Sequence, residues 1–271
     1  MSGITLSAGV RQNLLSLQQT AKQLATTQNA LATGKKVNSA LDNANEYFTS
    51  QGLTNRANSL SALLDGITNG INTIQAANNG ITAITKLVQS AQSLVTQAQQ
   101  TSDTTVRASL ATQYGQILTQ IDQLAGDSGY NGTNLLNGNS LTLTLNETGT
   151  STATVAGVTD TSAGLSIAAA QSSWAGATDI AAAATLLTAA LTTLQSQSAS
   201  LSSSLSTIQI RSDFTSAMIN TLQTGAAALV TADSNEEGAN LLALQTQQSL
   251  STTALSLSAQ SDRNVLKLFG G

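Results

Sequence analysis

The sequence predicts a mainly α chain: a long helical-bundle or coiled-coil rod formed by N- and C-terminal arms, with a small β-hairpin region near the middle. Three observations predict it. The 271 residues contain no Pro, so nothing forbids long uninterrupted helices. Apolar residues step by four and three through both halves of the chain, the spacing of helix faces that meet along a seam. Only one convincing stretch, Leu141-Thr142-Leu143-Thr144-Leu145, alternates with period two.

The first seam runs Val10, Leu14, Leu17, Ala21, Leu24, Gln28 and Leu31, and only Gln28 breaks its apolar character. Gly34 is the expected stop, followed by Lys35 and Lys36. A longer seam runs from Leu60 through Ile67, Ile74, Ile81 and Val88 to Ala98. Gly66, Gly70 and Gly80 interrupt it at about 1 kcal/mol each relative to Ala, and close helix–helix approach is the expected reason. Asp103 is a natural N-cap for a third helix carrying Val106, Leu110, Ile117, Ile121 and Leu124. Turn-rich sequence follows, and Thr152 to Val158 is the expected partner of the alternating strand. Helical spacing returns near Asp179 and continues to Leu229. A break at Thr231 to Asn235 precedes a last helix carrying Leu241, Leu244, Leu250, Ala254, Leu257, Val265 and Leu268.

Composition excludes several classes of function. With no His and no Cys there is no imidazole base, thiolate nucleophile or ordinary zinc, haem or iron–sulfur site. A net charge of −4 and only 9% charged residues argue against a nucleic-acid partner. No stretch reaches 18 apolar residues, so no membrane span is expected, and Met1 to Leu6 lacks the pattern of a cleaved secretory leader. The closest carboxylate pair, Glu236-Glu237, reads as part of a capping box opened by Ser234, and Ser39-Ala40-Leu41-Asp42 reads the same way. Trp174, the single Trp, reads as hairpin or loop packing. No cofactor, metal or catalytic residue is expected, and the chain is read as a non-enzyme.

The arms point to assembly. Ordering residues 1–33 costs on the order of 1–2 kcal/mol each, whereas burying a large apolar side chain returns roughly 1.5–3 kcal/mol. An arm with so few apolar residues is expected to order fully only among other copies.

The run Leu31-Ala32-Thr33-Gly34-Lys35-Lys36-Val37-Asn38-Ser39-Ala40-Leu41-Asp42 resembles the N-terminal signature of bacterial flagellins, Leu-Ser-Ser-Gly-x-x-Ile-Asn-Ser-Ala-x-Asp. Asn55-Arg56, Tyr130-Asn131-Gly132-Thr133-Asn134-Leu135-Leu136, Ala232-Asp233 and Asn264-Val265-Leu266-Lys267-Leu268-Phe269 are similar to further family patterns, in family order. Asn43-Ala44-Asn45-Glu46 departs from the common form and resembles the alphaproteobacterial type. The resemblance implies a short flagellin without outer domains. Residues 1–42 and 235–271 would form the innermost coiled-coil layer, 43–136 and 179–234 a rod-like helical domain, and 137–178 a short hairpin insert.

It also implies a secreted, self-associating subunit of the flagellar filament, serving motility. Its other partners would be the flagellar export apparatus, a secretion chaperone, the filament cap and the hook–filament junction proteins. The subunit-packing seam would be Val10, Leu14, Leu17, Leu24, Leu31, Leu241, Leu244, Leu250, Leu257, Val265 and Leu268. Family members seen by the Toll-like receptor for flagellin carry an Arg and a Glu on the second helix. The matching stretch here, Leu87 to Gln97, keeps Leu94 and Gln97 but has Ser90 and Ser93 at those places, which implies weak or no receptor binding. The alternatives are a hook–filament junction protein and a soluble secreted coiled-coil binding protein.

Overall fold

The computed structural model describes residues 8–269, except the side chains of Asp262 and residues 265–269. The order is α1 (Ala8–Thr33), α2 (Ala44–Gln100), α3 (Thr104–Asp127), β1 (Leu141–Thr144), β2 (Thr152–Val155), α4 (Ala177–Val230) and α5 (Ser234–Phe269). The chain is mainly α, as predicted, with a single two-stranded sheet among the described residues. At 1.5 Å per residue α2 is about 85 Å long.

Local chemistry sets the helix ends. Gly34, at φ 67°, ends α1 in the left-handed conformation that glycine adopts without strain. Asp103 caps α3 as predicted, its Oδ1 accepting the N–H groups of Thr105 (2.8 Å) and Val106 (3.4 Å). Two predicted caps move. The cap of α5 is Asp233, whose Oδ1 accepts the N–H groups of Asn235 (2.8 Å) and Glu236 (3.4 Å). A carboxylate next to the positive end of the helix outcompetes the Ser234 hydroxyl. The cap of α2 is Asn43, accepting the N–H of Glu46 at 3.2 Å, while Asp42 instead holds the preceding turn.

The chain divides into two compact units, one of residues 1–55 and 221–271 and the other of 56–220. In the second unit the core runs along α2 through Ile67, Ile74, Ile81, Val88 and Val95, steps of seven that keep one face inward. From α4, Ile180, Ala183, Leu187, Ala190 and Leu194 step three and four into the same core. By length and composition an 18-residue window of α4 is apolar enough to cross a bilayer, and 28% of that window is buried in the protein.

The hairpin pairs Leu141 with Val155 and Thr144 with Thr152. Leu143 and Val155 point inward and the threonines Thr142 and Thr154 outward, the alternation expected of a half-buried ribbon. Two α2 glycines prove to be contact sites, Gly70 for the hairpin and Gly80 for the C-terminal end of α3 and the loop after it. A Cβ on Gly70 would lie 2.6 Å from Leu143 Cδ1, and one on Gly80 would lie 2.7 Å from both Ser128 Cβ and Leu136 Cδ1. Gly66 has nothing within 4 Å of such an atom, so close approach does not explain it.

Candidate assembly surface

In the first unit α1 and α5 lie side by side and antiparallel. The Gly34 carbonyl accepts the N–H of Ala232 (3.0 Å), the Val230 carbonyl accepts that of Lys36 (2.8 Å), and Gly9 lies near Ser258 at the other end. The inward positions of α1 are Val10, Asn13, Leu17, Thr20, Leu24, Thr27, Ala30 and Leu31. Val10, Leu17, Leu24 and Leu31 therefore take the expected side, while the alternate positions fall one residue earlier than the apolar pattern suggests. Thr20 and Thr27 are buried and Ala21 and Gln28 face out. Thr20 satisfies its hydroxyl on the Ser16 carbonyl at 3.0 Å, so a threonine serves there without an orphaned polar group.

On α5 the inward positions are Leu241, Leu244, Gln248, Ser251, Leu255 and Ser258, again in steps of three and four. The partly polar pair leaves several other leucines outside. Leu250 and Leu257 are exposed, as is Leu242, and Leu14 and Leu15 are exposed on α1. The side chains of Val265 and Leu268 lie outside the described residues. Between Glu237 and Asp262 α5 carries no charged residue, and α1 carries only Arg11 and Lys22. The pair is thus a nearly uncharged surface studded with leucine.

The turn joining α1 to α2 is rigidly bonded. Asp42 Oδ2 accepts the N–H groups of Asn38 (3.0 Å) and Ser39 (2.9 Å) and the Ser39 hydroxyl (3.2 Å). The backbone bonds from Ser39 and Asn38 hold its carboxyl below the usual carboxylate range. Lys35 and Lys36 sit in this turn, and Lys36 approaches Glu46 at 4.0 Å. In the second unit Arg56 Nε donates to Glu147 Oε1 at 2.6 Å, the main cause of the lowered Glu147 pKa. On α2, Ser90, Ser93 and Gln97 are exposed, while Leu94 is half-buried by a shallow hollow that Ile117 of α3 also lines. Among the described residues no group of three or more acidic side chains converges as a metal site.

A family model for the bacterial flagellin N-terminal helical region matches residues 8–141. Flagellin FljK of Caulobacter vibrioides is 31% identical over 279 aligned residues, covering 99% of each chain. The chain belongs to the bacterial flagellin family. The flagellin of Brucella melitensis aligns over 100% of both chains at 30% identity, so this flagellin and these relatives share a short overall length. Flagellin A of Rhizobium meliloti is 45% identical over 76 residues, 28% of this chain and 19% of its own. Among solved structures, Bacillus cereus flagellin is 20% identical over 55% of this chain and 88% of its own, with a TM-score of 0.49.

Sequence reasoning missed Leu41 and Asp160. The first is an exposed leucine on a clamped turn, hinted at by one large apolar residue among Ser39, Ala40 and Asp42. The second is a fully buried carboxylate, for which no local pattern gave a signal.

Proposed function

We propose that this flagellin is the structural subunit of the flagellar filament, a helical homopolymer that works outside the cell in motility. It acts by self-association and not by catalysis. Delivery by the flagellar export apparatus with a secretion chaperone, and placement between junction proteins and the filament cap, follow from the same reading. The α1–α5 pair would form the innermost layer, the rest of the helices the layer around it, and 137–178 a vestigial outer insert.

The observation that carries this is the uncharged leucine surface. Burying an exposed leucine contributes roughly 1.5–3 kcal/mol, so burial of Leu15, Leu242, Leu250 and Leu257 in an assembly would favour association, and exposed leucines on nearly uncharged helices supply what an interaction face needs. Electron microscopy of protein seeded with filament fragments tests it. Leu257, 71% exposed, should be replaceable by Ala with an unchanged monomer melting midpoint but several-fold lower filament yield. Protein that stays monomeric under seeding, or Leu257→Ala filaments at full yield, would count against the reading.

Weak recognition by the Toll-like receptor for flagellin follows from exposed, uncharged Ser90 and Ser93. Introducing Ser90→Arg with Ser93→Glu is expected to raise receptor-reporter activation at least tenfold, since a charged interface hot spot is commonly worth 2 kcal/mol or more. Strong activation by the unmodified protein would show that recognition here does not use those charges.

A further inference from the structure

The turn between α1 and α2 presents a side chain that nothing in its own chain explains. The turn is held by three bonds to Asp42 Oδ2, by Asn38 Nδ2 donating to the Lys35 carbonyl at 3.2 Å, by the Leu41 N–H donating to Ser39 Oγ at 3.3 Å and by the Asp42 N–H donating to the Ser39 carbonyl at 3.1 Å. On this fixed support Leu41 is 98% exposed. An apolar side chain held out in water on a rigid turn contributes nothing to folding, and it is preorganised for a partner.

The same compact unit contains a groove of about 500 Å³. Val37, Ala226, Ala227 and Val230 form its apolar part, and its polar part, the larger share, includes Lys35, Asn38, Gln51 and Gln223. The ion pairs among the described residues are Lys36–Glu46 and Arg56–Glu147. Lys35 and Asp42 therefore each lack an opposite charge within 4 Å there.

We propose that Leu41 of one copy seats in this groove of a second copy, bringing Asp42 of the first beside Lys35 of the second. The inference rests on the filament reading and names one of its contacts. A second copy fits because the chain carries both halves of the match: an apolar knob beside a carboxylate, and a groove with an apolar patch at Val37, Ala226, Ala227 and Val230 beside the Lys35 ammonium. On the filament reading the contact is heterologous and repeats from copy to copy, whereas a closed two-fold pair would use the same knob and groove reciprocally and stop at two copies.

The chain has no Cys, so a Leu41→Cys, Ala227→Cys variant contains only the two introduced thiols. Polymerised, mildly oxidised and run on a non-reducing gel, it should give a ladder of covalent multimers, while each single variant gives dimers at most. In parallel, Leu41→Ala should raise the critical concentration for seeded growth about tenfold without moving the monomer melting midpoint, and Leu41→Met should stay within about twofold. Filaments of the double variant that give only monomer or dimer bands overturn the contact. If that variant does not polymerise, Leu41→Ala decides: growth at the wild-type critical concentration overturns the contact equally. Wild-type protein that never grows from seeds would instead remove the filament reading itself.

Discussion

Replacing Trp174 by Ala is expected to lower the stability of the second unit by about 3–5 kcal/mol, the range for deleting a fully buried large side chain. Trp174 is 0% exposed and packs on Tyr114, ring centroids 4.9 Å apart. Tyr114 is itself buried, which pushes its hydroxyl pKa up to about 12, and it donates to the Ala168 carbonyl at 3.1 Å. The short 3-10 turn Gln171–Trp174 reaches this position at a cost. Ser172, Ser173 and Trp174 have φ of 46°, 51° and 58°, and left-handed backbone costs roughly 1–2 kcal/mol per non-glycine residue. The indole outweighs that strain only because its whole ring is taken from water. Its Nε1–H has no hydrogen-bond partner, so Trp174→Phe removes an unsatisfied donor along with some volume and should cost much less than Ala. Urea unfolding followed by circular dichroism checks both. An Ala variant within 1 kcal/mol of wild type, on the order of a surface change, would mean that the turn does not depend on its Trp.

The second large effect concerns Asp160, buried at 0% exposure, whose carboxylate oxygens make no close hydrogen bond and have the side chain of Gln197 beside them. Desolvation pushes its pKa up from 3.8 to about 6, and the amide of Gln197 on α4 pulls the other way. The folded protein therefore holds a proton that the unfolded chain releases between those values. Stability from the neutral carboxyl is fully present below pH 3.8 and is lost as the pH rises through about 6. At about 1.36 kcal/mol per unit, the shift corresponds to roughly 3 kcal/mol by neutral pH. Asp160→Asn abolishes the ionisation while keeping the shape of the side chain. The variant should gain about 1–3 kcal/mol near pH 7, gain nothing near pH 4, and show a flatter profile between. Unfolding curves at several pH values measure this. An Asn variant that is no more stable at pH 7, or that keeps the wild-type slope, would show that Asp160 stays hydrated in the folded protein.

The sequence by itself determined the helical class, the helix stops, the hairpin and the family. The absence of Pro, the four-and-three spacing, Gly34, Asp103 and the alternation at Leu141–Leu145 are local signals, and local signals are set by backbone sterics, capping and side-chain periodicity. The motifs around Leu31 to Asp42 and Tyr130 to Leu136 were legible for the same reason. Only the tertiary structure decided which of several near-equivalent faces turns inward. On α1 the choice between Thr20 and Ala21, or Thr27 and Gln28, is about 100° of helix rotation, and it depends on what α5 offers across the seam. On α5 the sequence offers leucines on both faces, and the structure takes Leu241, Leu244 and Leu255 inward and leaves Leu250 and Leu257 out. The roles of Gly70 and Gly80 depend on a hairpin and a loop distant in sequence. Asp160 becomes a high-pKa acid, and Trp174 an anchor worth a strained turn, only because non-local packing removes water from them; burial of that kind has no period in the chain.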